Sequence, residues 1–297
     1  MSGDELEHVA FHHADFCFEA HRQAVEASRC AGAGIAAAPL AEHEASASWD
    51  AFHRQHAGAA FFKARRYLLA EFPQLRKRGQ ELTVLELGCG NGSSCLPLLL
   101  ANPDVRVVAC DFATAAVAAT RQAVTHAGVS VDRFVAFQAD PGAVSADEFA
   151  AALAAAVSLA GWPPLARFDA VLAVFVLSAV PPARTSSFLA SACSLLRPGG
   201  CLLVRDYGIF DQAHLRFSPE AACDDSGCLF LRQDGTLARF FDCDELVDLV
   251  CSGAANAGVH LAGEADWHTV AVRNRAKDIT MRRVFVHAVF TRALDNA

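Results

Sequence analysis

The sequence predicts an α/β fold, a mostly parallel sheet of seven strands with helices on both faces. Three observations carry this. From about residue 82 to 207, apolar runs of strand length alternate with helix-like runs. Those strands are apolar almost throughout, as strands buried on both faces must be. The first of them runs straight into a glycine-rich turn that opens a helix.

In order, "LTVLELGCGNG" is a strand and its glycine loop, and "SSCLPLLLAN" a helix. "VRVVACDF" is a strand ending at Asp111, and "ATAAVAATRQAVTHAG" a helix closed by Gly128. "RFVAFQAD" is a strand ending at Asp140, and "ADEFAAALAAAVSLA" a helix. "FDAVLAVFVLSAV" is a strand, "ARTSSFLASACSLLRPGG" a helix and its stop, and "CLLVRDYG" a strand. After an irregular insertion at about 208–241 come the helix "DCDELVDLVCSGA" and the strands "DWHTVAVRN" and "RRVFVHAVFTR".

Before the sheet, "SWDAFHRQHAGAAFFKARRYLLAEFPQL" carries Trp49, Phe52, Phe61, Phe62, Tyr67, Leu68 and Phe72 at helical spacing. Ser48 is its expected N-cap, and Pro73 and Gly79 its end. Three parts are therefore expected. Residues 1–45 form a variable, partly disordered arm, 46–80 a helical lid, and 81–297 the sheet domain with its insertion. The triplet His8, His12 and His13 is expected as solvated side chains on an N-terminal helix.

The chain has 297 residues, is 53% hydrophobic and carries a net charge of −8. That charge is a poor global footprint for a nucleic-acid binder, so such a role must rest on local basic patches. Candidates are Lys63/Arg65/Arg66, Arg76/Lys77/Arg78 and Arg273/Arg275/Lys277/Arg282/Arg283. Eleven scattered cysteines lack a regular disulfide framework, which fits reduced thiols. Cys223 and Cys228 are followed by no second ligand pair, so no metal is expected. No apolar run is long enough to span a bilayer, and the opening residues resemble no targeting signal. A cytoplasmic location follows as the default, with the nucleus left open.

Glycines at 88, 90 and 92 remove the Cβ where a ligand must approach the backbone, and the following helix offers exposed N–H groups. Asp111, about twenty residues on, is placed to accept ribose hydroxyls. Glu86 precedes the first glycine, and the third is Gly92 rather than the residue a dinucleotide fingerprint requires. With "LLRPGG" and two closing strands, this points to S-adenosylmethionine and the class I methyltransferase fold, Rossmann-like with an N-terminal helical extension and a substrate-cap insertion. Asp140 is either an adenine contact or a helix N-terminal carboxylate.

Several segments are more specific than the fold. "VLELGCGNGSSCLPLL", "VFVLSAVPP", "LLRPGGCLLVRDYG", "FDQAHLRF", "LRQDGTLARFFDCDEL" and "TMRRVFVHAVFTR", with the helical segment at 48–75, resemble the eukaryotic tRNA 3-methylcytidine methyltransferases. The resemblance covers about 46–293. It implies cofactor roles for Trp49, His53, Glu86, Gly88, Gly90, Asp111, Phe112, Asp140 and Val174. It implies substrate roles for the strand end "RDYG" and the insertion carrying "RQDGT". Gln233 in that motif resembles the branch acting on serine tRNAs, sometimes helped by seryl-tRNA synthetase. The family usually has Tyr at position 53 and an acid at position 64, where this chain has His53 and Ala64.

The chemistry makes its own demands. N3 of cytosine lies on the pairing edge, so the base must be unpaired or flipped out. N3 has no proton to lose, so alignment and electrostatics carry the reaction without a general base. The catalytic residues expected are Asp206, reading the base, with Arg205 and Tyr207. Phe210 is a further stacking candidate, and His214 and Arg216 are phosphate or base contacts. Asp206 is alternatively the internal partner of Arg205 or Arg216. "LRQDGTLARFF" reads as a hairpin turning at Asp234-Gly235, with Arg232 and Arg239 opposite each other as a substrate flap. Arg273 and Arg275 begin a tRNA-backbone patch. The alternatives are a class I enzyme acting on another RNA site, a protein or a small molecule, and a non-catalytic RNA- or protein-binding module. The expected partner is tRNA, not DNA or a membrane.

Overall fold

A computed structural model describes residues 11–29, 45–55, 63–76, 79–274 and 278–294. Its centre is a seven-stranded sheet built from β1 (Leu82–Leu87), β2 (Val105–Asp111), β3 (Phe134–Gln138), β4 (Phe168–Val174), β5 (Leu196–Tyr207), β8 (Leu261–Asn274) and β9 (Ile279–Arg292). Strand order is β3-β2-β1-β4-β5-β9-β8. The first five are parallel, and β9 runs antiparallel between β5 and β8.

Period-two side-chain direction splits the core between two faces. Leu85 and Leu87 of β1 pack with α6 (Ala146–Leu159), α7 (Pro182–Ser194) and α8 (Cys243–Asn256), through Phe149, Phe188 and Leu246. Leu82 and Val84 face the other way, onto α4 (Cys95–Ala101) and α5 (Thr114–His126), with Leu68 and Phe72. Helices α6 and α8 each start at a reciprocal capping box, Ser145 with Glu148 and Asp242 with Glu245. No helix among the described residues is long and apolar enough to cross a membrane.

Three local expectations are corrected. Helix α2 (Ala45–Gln55) begins before Ser48, so Ser48 is not its cap. The aromatic segment is not one helix, because residues 63–66 are irregular and α3 (Leu68–Glu71) is a single turn. Phe72 leaves helical geometry at φ −117°, ψ 89°, the conformation the following Pro73 favours. Strand β5 starts at Leu196, so the "RPGG" taken as a helix stop lies in the strand, opposite a register shift between Phe168 and Ala170.

The N-terminal arm also docks. Residues 13–15 run beside β8: Thr269 N–H donates to His13 O, and Asp15 N–H to Thr269 O. His12 and His13 thus lie on an extended segment rather than a helix, and His8 falls outside the described residues. From α1 (Phe18–Arg29), the Phe18 ring stacks on Trp267 at 3.9 Å and meets Phe210 edge-on. The insertion carries its own small core of Ala222, Phe230, Ala238 and Phe240, beneath the hairpin of β6 (Leu229–Leu231) and β7 (Leu237–Arg239).

Behind the ends of β5 and β9, Glu71 and Arg205 form a fully enclosed ion pair. Nδ1 of His268 and Nδ1 of His287 each lie 3.2 Å from the same Glu71 oxygen, and the two imidazoles stack at 4.4 Å. A carboxylate and two imidazoles are a metal-binding set, but here the guanidinium supplies the cation. Burial alone would raise the Glu71 pKa. The hydrogen bonds from both histidines and the Arg205 charge outweigh it and hold it down at about 2. The stability this pair confers is complete above the ordinary glutamate range near 4.5 and is lost as pH falls through about 2. Glu71→Ala strands a buried guanidinium and is expected to cost about 3–5 kcal/mol. Urea unfolding at neutral pH measures that cost, and the same titration between pH 4.5 and 2 should show a flatter acid limb in the variant.

Candidate active site

One cleft of about 660 Å³ lies outside the carboxyl ends of the parallel strands, where open sheets place their ligands. One wall is the glycine loop after β1. Gly88 and Gly90 have φ of +67° and +54°, which L side chains adopt rarely. A Cβ on Gly88 would lie 2.4 Å from Cγ2 of Val176, so backbone and wall touch directly. Asp111 holds the loop from below, its Oδ2 accepting from Gly90 N–H and its Oδ1 from Ala113 N–H, each at 2.9 Å. Burial pushes its pKa up to about 6 against those hydrogen bonds. Trp49, Phe52 and His53 of α2 cover this end of the cleft, and Ala115 N–H donates to Asp50 at 3.0 Å, tying α2 to α5.

Glu86 is buried behind the loop rather than in the cleft. Burial raises its pKa to about 7, opposed by the Arg65 charge. Arg65 is clamped across the cleft, its backbone N–H on Ser93 O and its guanidinium on the Ser94 hydroxyl, each at 2.7 Å. Asp140 lines the far side, where Arg184 donates to it at 3.1 Å and Gly142 N–H caps it at 2.9 Å. Phe112 and Val174 complete this wall.

The opposite side belongs to the insertion. The hairpin turns through five residues, 232–236, rather than two, so Arg232 bonds to Thr236 while Arg239 sits opposite Leu229. The two arginines are therefore not partners across the hairpin. Arg232, Asp234 and Thr236 reach the cleft; Arg239 is bound to Glu245 over the Phe241 ring. Burial raises the Asp234 pKa, but hydrogen bonds from Thr236 and the Arg232 charge bring it below its ordinary value, so the carboxylate stays ionised.

Several expected substrate contacts lie elsewhere. Asp206 is fully buried below the cleft floor and pairs with neither Arg205 nor Arg216. Its oxygens accept from Ser178 N–H at 3.0 Å and Tyr207 N–H at 2.8 Å. Burial raises its pKa to about 6. Arg205 is held by Glu71, behind the aromatic rings of the cleft, and does not line it. Tyr207 does. Phe210 has φ +61°; its N–H donates to Nδ1 of His214, and its carbonyl accepts from Nε2 of His21 on α1. His214 in turn donates from Nε2 to Gly227 O and stacks on Phe240. Phe210 and His214 thus hold the arm and the insertion together, while Arg216 is exposed away from the cleft. Arg273 is paired with Asp278 on the surface, Arg283 with the buried Asp211, and Arg282 covers Phe16, so the expected patch is largely internally engaged. Arg275 and Lys277 lie outside the described residues, as do Phe61, Phe62, Lys77 and Arg78. Arg66 is exposed, and Arg76 donates to Leu69 O. Lys63 and Arg65 of the first expected basic patch line the cleft, as do Tyr67 of the aromatic segment and Thr236 of the insertion motif; Phe175, Ser178 and Arg184 line it with no role expected for them.

A family model described as a methyltransferase domain matches residues 85–202. Human tRNA N(3)-cytidine methyltransferase METTL6 is 34% identical over 212 residues, covering 70% of this chain and 68% of that protein. The rat METTL6 protein is 32% identical over 253 residues, 84% of this chain and 80% of its own. The chain belongs to the tRNA N(3)-cytidine methyltransferase family. The trm141 member from Schizosaccharomyces pombe is 31% identical, with 83% of this chain and 92% of that protein aligned. Among solved structures, a SAM-dependent methyltransferase from Anabaena variabilis matches with a TM-score of 0.57 at 13% identity, over 88% of this chain and 100% of that one. At that identity the likeness shows the fold alone, the class I methyltransferase fold.

The residues of this family member fit S-adenosylmethionine. The Cβ-free loop leaves room for a ligand against backbone, and Trp49 Nε1 is a buried donor with no protein partner among the described residues. Trp49, His53, Gly88, Gly90, Asp111, Phe112, Asp140 and Val174 all line the space.

Two outcomes are expected. Asp111→Ala should weaken cofactor binding about ten- to a hundredfold, since it removes a carboxylate acceptor and loosens the loop; calorimetry measures this. Glu86, Asp111 and Asp206 all have raised pKa values, so each contributes stability that is complete below its ordinary range and lost as pH rises through about 6 to 7. Glu86→Gln should therefore flatten the loss of thermal stability between pH 4.5 and 8 in the ligand-free protein.

Proposed function

We propose that this chain is an S-adenosylmethionine-dependent tRNA methyltransferase that forms 3-methylcytidine in the anticodon loop. The single observation that supports it best is the shared cleft. The cofactor cradle and the hairpin tip of the family-specific insertion open onto the same 660 Å³ space. Lys63, Arg65, Arg184 and Arg232 line it, so an acidic chain presents basic side chains where RNA would enter.

The cofactor supplies an electrophilic methyl group. The protein's tasks are to hold that group, hold the cytosine edge against it and keep water out. The N3 lone pair is free at neutral pH, so no side chain has to remove a proton. The base gains a fixed positive charge as it is methylated, and an ionised acid beside it lowers that cost. Asp234 is the cleft carboxylate on the substrate side, and carboxylates accept from the N4 amino group of cytosine. Asp206 acts one step back, fixing the backbone of Ser178 and Tyr207 at the cleft floor. Gln233, in the hairpin turn, supports serine tRNAs as the substrates and seryl-tRNA synthetase as a helper.

The test is total tRNA with labelled cofactor, then nucleoside analysis. The expected product is 3-methylcytidine; a different labelled nucleoside from folded protein would overturn the reading. tRNA affinity should fall linearly on a log–log plot against salt, and added seryl-tRNA synthetase should raise the rate on serine tRNAs.

A further inference from the structure

Phe175 follows β4 and has φ +56°, in the left-handed region that a side chain of its size rarely enters. The conformation is held from several sides. Its N–H donates to Arg205 O at 2.7 Å, which keeps it on the strand end. The turn brings its half-buried ring into the cleft beside Tyr207, with ring centroids 4.9 Å apart and planes at 41°. Phe285 closes behind it edge-on at 5.6 Å. Arg205 underlies the group, its guanidinium 4.3 Å from the Phe285 ring and 5.9 Å from that of Phe175. Backbone strain kept in place by this much surrounding structure is characteristic of ligand clamps and active sites.

The ring is also open to a flat polar group from the cleft. The guanidinium of Arg65, clamped on Ser94, rests over Phe175 at 5.0 Å. A cytosine ring is a flat polar group of the same kind, and unpaired RNA bases are commonly held by stacking on aromatic side chains. Trp49 and the glycine loop lie on the cofactor side of the same cleft. We propose that Phe175 is the platform on which the target cytosine stacks, displacing Arg65 from the ring, with Tyr207 as the side wall. Arg205 is the positioning residue that holds the platform. This rests on the RNA-methyltransferase reading and specifies where its base binds.

The left-handed backbone gives an unusually clean test. Glycine accepts φ +56° without strain, so Phe175→Gly removes the ring while favouring the same backbone. The probe is a tRNA anticodon stem-loop whose loop cytidines are replaced in turn by the fluorescent analogue pyrrolocytidine, whose emission falls on stacking. In the wild-type protein one substituted position should be quenched on binding. Phe175→Gly should abolish that quenching and weaken stem-loop binding about five- to a hundredfold, the range for one lost base stack. Phe175→Tyr should retain both. Calorimetry should show S-adenosylmethionine affinity within about twofold of wild type in both variants. Equal quenching in Phe175→Gly, or no quenched position in the wild type, overturns the platform. A matching loss of cofactor affinity assigns the ring to the cofactor wall and overturns it as well. The activity reading fails separately, by the nucleoside analysis above, since stacking is read by equilibrium binding without turnover.

Discussion

The ion pair between Glu71 and Arg205 is the constraint on which the rest of the cleft depends. It is sealed between α3 and the β5–β9 ladder, with two stacked imidazoles sharing the same carboxylate oxygen. Charges so deeply buried are tolerated only when paired and hydrogen-bonded. The pairing fixes the guanidinium in one place, and the guanidinium fixes Tyr67, Phe285 and Phe175 around it. Arg205 is thus a support for the reaction chamber, and its position at the end of a central strand is what puts it under the floor.

A second support works from the insertion side. Asp211 is fully buried and accepts from Ala213 N–H, Val284 N–H and the Arg283 side chain. That knots the chain after β5 onto β9. The segment after the knot then builds its own small core, and the hairpin stands on it with Arg232 and Asp234 toward the cleft. The charges and aromatics packed into residues 204–217 divide between these jobs. Arg205, Asp206 and Asp211 brace backbone and rings, Phe210 receives the N-terminal arm, His214 ties Phe210 to the insertion, and Tyr207 alone of this group faces the cleft.

The sheet was legible because strands covered on both faces must be apolar throughout, and the glycine loop because positive φ and close approach both demand glycine. The hairpin was legible from Asp234-Gly235, but not its five-residue span, which moves Arg239 out of register with Arg232. The partners of Arg205 were not legible. Glu71 lies 134 positions away, and nothing local in either segment names the other. Phe175 left no signal at all, since an aromatic residue after an apolar strand reads as more strand, and only the backbone angle separates it from its neighbours. Phe210 read as a base stacker because its docking partner Phe18 belongs to an arm with no recognisable pattern.

The distance between the parts of the buried cluster has a consequence for how the molecule comes together. His287 and Glu71 are separated by 216 positions, and between them lie the parallel strands and the whole insertion. Contacts that close such long loops form slowly, because chain entropy must be given up before the contact offsets it. The cofactor half of the sheet draws on strands close in sequence and can condense first. The floor of the reaction chamber waits for β9 to slide between β5 and β8. A partly folded chain would therefore hold a cofactor cradle before it had anywhere to put a base.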